Sequence, residues 1–210
     1  MHQATVNPVA PFDALVAAGG FGTRMGLGRP KSGLYVDDEM LLDRVVGSIQ
    51  ALAPRKLLIC CGESREWRQR IAGRYHGQVE VVASTSDVPS LRLLQEYLPI
   101  LGDRVLFAYG HAPRPRHHLE ALATCDASFA VSTVSMSTRR DLVRTVMGRF
   151  IEPPFILRTE LVSRFLSTWS AMLRQHHFEE FPMSGPGEFN SHAEFIAYAS
   201  YLRDLEAPNP

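Results

Sequence analysis

Between residues 13 and 31 the chain reads D-A-L-V-A-A-G-G-F-G-T-R-M-G-L-G-R-P-K, and these residue types fit a phosphate cradle. Gly19, Gly20, Gly22, Gly26 and Gly28 fall within ten positions, with Arg24, Arg29 and Lys31 set among them. Glycine tolerates positive φ and lets the backbone come close to a ligand, so amide hydrogens can be aimed at phosphate oxygens. The cations offset the charge those oxygens bring. The apolar run at residues 14–18 predicts a buried parallel strand leading into this loop.

Spacing excludes two familiar phosphate loops. A Walker loop requires Gly-Lys-Ser/Thr, and Lys31-Ser32 follows Pro30 instead. A dinucleotide fingerprint requires G-x-G-x-x-G, but after Gly20 and Gly22 the third position is Met25, with Gly26 one residue late. Its acidic partner belongs about twenty residues on, whereas the second expected strand ends near Gly62-Glu63.

The segment Ala17-Ala18-Gly19-Gly20-Phe21-Gly22-Thr23-Arg24-Met25-Gly26 with Pro30-Lys31 resembles the signature loop of nucleotidyltransferases with a GT-A-like α/β fold. That pattern is roughly L-A-A-G-x-G-x-R-M-G, a few residues, then P-K. Gly33-Leu34-Tyr35-Val36 and Met40-Leu41-Leu42-Asp43-Arg44-Val45 continue the likeness. The molybdenum-cofactor guanylyl- and cytidylyltransferases belong to this family, as do methylerythritol-phosphate cytidylyltransferase and the sugar-1-phosphate nucleotidylyltransferases. The resemblance implies a single-domain Rossmann-like (GT-A-like) α/β fold, its mainly parallel sheet flanked by helices. It also implies transfer of a nucleoside monophosphate from an NTP to a small, phosphorylated or hydroxyl acceptor, with release of pyrophosphate. Ala18, Gly19, Gly20, Gly22 and Thr23 would lie against the nucleotide. Arg24 would stabilise the leaving pyrophosphate and Lys31 the charge developing at the α-phosphoryl group.

The same resemblance places a divalent metal, magnesium or manganese, at the end of the fourth strand. There the family has G-D-x-P and this chain has Gly110-His111-Ala112-Pro113. Magnesium takes hard oxygen ligands and imidazole suits it poorly. His111 therefore stands open to four readings: a ligand for manganese or another transition ion, a donor to phosphate, the mark of a lost metal site, or an exposed bystander. Near the C-terminus Glu188-Phe189-Asn190-Ser191-His192-Ala193-Glu194-Phe195 echoes the family's D-x-N-T-P-E-D-L, which makes Glu188 and Asn190 the remaining metal candidates. Ser191 and Glu194 are also spaced as a helix capping box. Ser84-Thr85-Ser86 and Ser90-Leu91 occupy the base-reading region without its glycines, so Ser84 and Ser90 join the nucleotide set and the base stays open. Two further functions remain beside transfer. A catalytically silent nucleotide-binding module would explain the missing Asp; a GT-A glycosyltransferase is disfavoured because no D-x-D appears.

Other charged clusters weigh less. Arg114, Arg116, His117 and His118 read as a solvated helix end, with a phosphorylated acceptor as the competing role. Arg139, Arg140 and Arg144 read as surface, or as the acceptor side of the cleft, and His176-His177 as a helix terminus.

At 210 residues the chain suffices for one substantial core. Residues 12–205 are expected to form one NTP-transferase-like domain between flexible tails at 1–11 and 206–210. A net charge of +0 gives no basic field for nucleic acid. No apolar run nears the ~20 residues of a membrane span, and the first eleven residues do not read as a secretory signal. Three cysteines, Cys60 and Cys61 adjacent, give neither a disulfide framework nor zinc spacing, so packing in a reducing cytoplasm is expected. The oligomeric state stays open.

Alternating segments predict the elements that carry the loop. Strands are expected at 14–18, 57–61, 79–83, 105–108, 127–134 and 155–157. Helices are expected at 40–52, 63–74, 90–98, 159–175 and 191–205. Pro153-Pro154 reads as a break, and residues 148–154 and 183–187 as loops.

Overall fold

The apolar run that ends at the glycines forms β1 (Asp13–Ala17), whose Ala14, Leu15 and Val16 are fully buried. The structure, a computed structural model, describes residues 10–20, 22–84, 90–136, 145, 148–162 and 168–206. After β1 come a short hairpin of β2 (Tyr35–Val36) and β3 (Glu39–Met40), then α1 (Leu41–Gln50), β4 (Lys56–Cys60), α2 (Arg65–Arg74) and β5 (Glu80–Val82). Next in the chain are α3 (Ser90–Tyr97), β6 (Arg104–Tyr109), α4 (Arg116–Thr124), β7 (Phe129–Met136) and β8 (Phe150–Arg158). The remaining elements are α5 (Trp169–Gln175), β9 (Glu179–Pro186) and α6 (His192–Glu206).

The main sheet has the order β5-β4-β1-β6-β8-β7-β9. Neighbours pair in parallel except β8, which runs antiparallel to both β6 and β7. Strand alternation sends Ala14, Val16, Ile59, Leu106 and Ala108 into the core under α1, α2 and α4. The opposite face, with Leu15, Cys60, Val105 and Phe107, packs under α3 and α5. A third cluster joins Met25, Leu34, Val36 and Leu41 to Phe189, Tyr198 and Leu202, so α6 covers the hairpin and the start of the glycine loop. Cys60 and Cys61 are buried and unpaired, and burial raises both thiols, Cys61 to about 12.

Three expectations need correction. Pro153-Pro154 does not break the chain: it lies inside β8. Val131 faces Phe155 and Ser132 faces Glu152, which leaves the two prolines as the extra residues of a bulge. Lacking N–H groups, they cost the ladder nothing there. Residues 183–187 are no loop, because Met183 and Pro186 pair with β7 as part of the edge strand β9. Instead of one helix over 159–175, the chain forms a single 3₁₀ turn at Thr159–Leu161 and later α5, with 163–167 outside the described residues.

Candidate active site

The parallel strands β5, β4, β1 and β6 all end on the same edge, where ligands of open α/β sheets bind. At that edge β1 delivers Gly19 and Gly20. Gly19 presses on the turn after β4: a Cβ there would lie 2.5 Å from Gly62 N. Gly20 is exposed, with no atom within 4 Å of where its Cβ would be. Among the described residues, no group accepts a hydrogen bond from the amides of Gly19 and Gly20.

Beyond Gly20 the loop closes on itself. Gly22 N donates to Arg29 O (3.0 Å), and Lys31 N donates to Gly20 O (3.2 Å). Gly22 is buried against Leu27, and Met25 anchors the turn in the α6 cluster. Thr23 and Arg24 sit exposed on the 3₁₀ turn Thr23–Met25. The Ala18 carbonyl is held from below by Ser32 Oγ (2.8 Å) and Trp67 Nε1 (2.9 Å). The loop is thus a cup closed by backbone hydrogen bonds, with Gly20, Thr23 and the Arg24 cation exposed at its rim.

Lys31 connects this cup to the C-terminal segment. Its Nζ, nearly buried, donates to Phe189 O (2.5 Å) and Asn190 Oδ1 (2.9 Å) and lies 5.3 Å from the Phe189 ring centre. Asn190 Nδ2 donates to Glu188 Oε1 (3.3 Å), and Glu188 Oε2 meets His111 Nε2 at 3.2 Å. Residues from the first loop, from the turn after β6 and from the segment before α6 thus form one hydrogen-bonded chain. His111 is no exposed bystander: its side chain is 13% exposed, stacked on Tyr109 and edge-on to Phe189. Burial pulls its pKa down, opposed by the hydrogen bond and charge of Glu188 and aided by the Lys31 and Arg114 charges. Glu194 is spent on the helix cap, accepting from Asn190 N and Ser191 N, while Ser191 Oγ accepts from Glu194 N.

His111 and Glu188 are the pair that could hold a divalent cation. Two cis ligands at about 2.1 Å on an octahedral ion lie about 3.0 Å apart, close to the 3.2 Å between His111 Nε2 and Glu188 Oε2. Among the described residues no three His, Cys, Asp or Glu side chains gather around a point. An ion here would complete its shell from phosphate oxygens and water, as ions in phosphoryl-transfer sites do. Imidazole with carboxylate suits manganese better than magnesium.

The remaining candidates fall into two groups. Ser84 is buried just past β5 at the same edge, and Ser90 opens α3. Thr85, Ser86, Arg139, Arg140 and Arg144 lie outside the described residues. The cluster after His111 divides. Arg116 and His117 are solvated, Arg116 pairing with Glu120 at 2.7 Å. Arg114 and His118, however, are buried, which corrects the reading of a solvated helix end. His118 Nε2 donates to Ser132 Oγ (2.8 Å), since the Ser132 hydroxyl itself donates to Pro154 O (2.7 Å). Burial, then the Arg114 and His117 charges, pull His118 down to about 4, so it is neutral. A groove of ≈ 550 Å³ between the starts of β7 and β9, lined by Phe129, His177 and Phe178, opens at the other edge of the sheet.

A mainly parallel α/β sheet with a glycine loop at the carboxyl edge of its parallel strands is the arrangement in which open α/β folds receive their ligands. The chain belongs to the MobA-like NTP transferase domain family, which it matches over residues 14–177. Over 104 residues it is 32% identical to the bifunctional protein GlmU of Stutzerimonas stutzeri (strain A1501), covering 49% of this chain and 22% of that protein's length. Its fold is that of the inositol-1-phosphate CTP transferase from T. maritima (TM-score 0.72, 13% identity, 93% of this chain and 97% of that one). It is also similar to Rv0371c of Mycobacterium tuberculosis H37Rv, a structure determined with manganese (TM-score 0.63, 14% identity, 95% and 100% covered).

Proposed function

We propose that this enzyme transfers a nucleoside monophosphate from an NTP to a small phosphorylated acceptor and releases pyrophosphate. The observation that carries the reading is the unbroken chain Lys31–Asn190–Glu188–His111, which ties the glycine cup to the cation pair. In this reading the Gly19 and Gly20 amides hold nucleotide phosphate oxygens, and Arg24 at the rim neutralises the leaving pyrophosphate. Lys31 carries positive charge toward the α-phosphoryl group while two of its N–H donors keep it on Phe189 and Asn190. An acceptor oxygen forms the new bond to the α-phosphorus. The α–β bridging P–O bond breaks, and its electron pair leaves on pyrophosphate. The protein contributes position and fixed charge, with no covalent intermediate. His111 and Glu188 would hold the divalent cation, which when bound supplies Lewis-acid neutralisation of phosphate charge. A phosphorylated acceptor is proposed because the T. maritima neighbour, by its name, acts on inositol-1-phosphate.

Pyrophosphate release, measured across the four NTPs with magnesium or manganese and a panel of sugar and polyol phosphates, tests this reading. Acceptor-dependent pyrophosphate from one preferred NTP is the expected result. Hydrolysis to NDP and orthophosphate alone would reject it.

A further inference from the structure

We propose that Arg114 is a positioning residue of the transfer site, tying the backbone just before Glu188, and that of β8, to the turn that carries His111, so that the two side chains meet. This inference rests on the reading of that pair as the cation site. Arg114 follows His111 by three residues, in the turn between β6 and α4. Its Nη1 donates to the carbonyls of Pro186 and Gly187, each at 3.2 Å, immediately before Glu188. Its Nη2 donates to Pro153 O (3.3 Å), the carbonyl that the β8 bulge turns out of the ladder, and lies 3.6 Å from Glu152 Oε2. The Arg114 and Glu152 side chains are 3% and 2% exposed. The Glu152 carboxylate in turn occupies the space where a Cβ on residue 187 would stand, so a side chain there would displace the carboxylate or the segment. Tyr198 Oη completes the frame by donating to Pro113 O (2.8 Å).

Stability alone does not account for an arginine here. Arg114 Nε is buried without a hydrogen-bond partner, and an unpartnered buried N–H costs about 1–3 kcal/mol. Well-packed apolar residues often replace a buried ion pair without loss. What a guanidinium supplies, and an apolar residue does not, is a planar fork that spans carbonyls from two separate segments. Here those segments are β8 and the end of β9, and the fork is carried on the His111 turn itself. The Glu188 carboxylate and the His111 ring are thus referenced to a single rigid group. Residues that orient ligands from outside typically change metal affinity by 10–100-fold when removed.

The test uses the full chain, Mn²⁺ alone as the probe, and electron paramagnetic resonance to count free ion. Arg114→Lys keeps the charge facing Glu152 but its ammonium cannot span the three carbonyls. It should bind Mn²⁺ at least 10-fold more weakly, raise KM for the Mn–nucleotide more than it lowers kcat, and shift the His111 ring nitrogens in long-range ¹H–¹⁵N spectra. Glu152→Gln breaks the ion pair and leaves the carbonyl clamp, so it should lower Tm yet keep Mn²⁺ affinity within threefold. Arg114→Lys binding Mn²⁺ like the parent, with unmoved His111 signals, overturns the proposal. If the parent itself takes up no Mn²⁺, the reading of the cation site fails. The clamp is then judged by the His111 signals, and their constancy in Arg114→Lys overturns it. Should Arg114→Lys not fold, Gly187→Ala, which crowds the Glu152 carboxylate against the segment before Glu188, carries the same readouts.

Discussion

Gly19 and Gly20 are neighbours of one type, and the structure assigns them opposite sensitivities. Neither has positive φ, so alanine is conformationally acceptable at both. At Gly19 an added Cβ would stand 2.5 Å from Gly62 N, 2.7 Å from Gly62 Cα and 2.8 Å from Cys61 C, all backbone atoms. Ordinary contact begins at 3.4 Å, so the ends of β1 and β4 must part by about 0.9 Å. Overpacking of this kind costs about 1–3 kcal/mol, which at roughly 2–4 °C per kcal/mol for a chain of this size lowers Tm by several degrees. At Gly20 the same methyl meets nothing within 4 Å, and stability should stay within about 0.5 kcal/mol. The Gly20 methyl does stand where phosphate oxygens would approach the open amides. NTP affinity should therefore fall at least 10-fold in Gly20→Ala, with Tm unchanged. Thermal shift and titration calorimetry against the four NTPs measure both quantities. Parental NTP affinity in Gly20→Ala would refute the placement of phosphate on these amides. An unmoved Tm in Gly19→Ala would refute the close approach of the two strand ends.

The rest of the site yields three more expectations. Lys31→Met removes the donor to the Phe189 carbonyl and to Asn190 Oδ1 and should cost about 1–3 kcal/mol in denaturant unfolding as well as turnover; exposed Arg24→Ala should lose turnover alone, and equal stability of the two variants would contradict the bridge. His111→Asp restores an oxygen ligand, so magnesium-supported turnover should rise relative to manganese, and an unchanged metal preference would remove His111 from the cation site. His118 has its pKa depressed from 6.5 to about 4, so the unfolded chain binds its proton first as pH falls. The stability involved is complete above about pH 6.5 and lost by pH 4, on the order of 3 kcal/mol; His118→Gln, which keeps a donor for Ser132 Oγ, should flatten that part of the pH–stability curve, and an unchanged curve would contradict a buried neutral His118.

The glycine cup was legible because its residue types sit at short fixed offsets on one strand and the turn that follows. The alternation of apolar runs likewise located β1, β4 and β6 to within a residue or two. Placement by long-range packing was not legible. Arg114 and His118 read as a solvated helix start because nothing nearby in sequence announces that β8 and β9 will cover them. Pro153-Pro154 reads as a breaker because proline lacks the ladder donor, and only the register of β7 against β8 reveals a bulge that needs no donor. Met183-Ser184-Gly185-Pro186 has the composition of a turn, yet an edge strand tolerates proline on its open side. The bond between Lys31 and Asn190 joins residues far apart in the chain, and no local signal could pair them.

Parallel incubations with α-³²P- and γ-³²P-labelled samples of the preferred NTP test the central claim most directly. Each contains Mn²⁺ and a pool of phosphorylated small molecules, and chromatography follows the label. Nucleotidyl transfer predicts that the α label enters a new small-molecule product while the γ label leaves as pyrophosphate in equal amount, with both signals lost in Lys31→Met. A γ label in the product, or released as orthophosphate while the α label stays in NDP, would contradict the account.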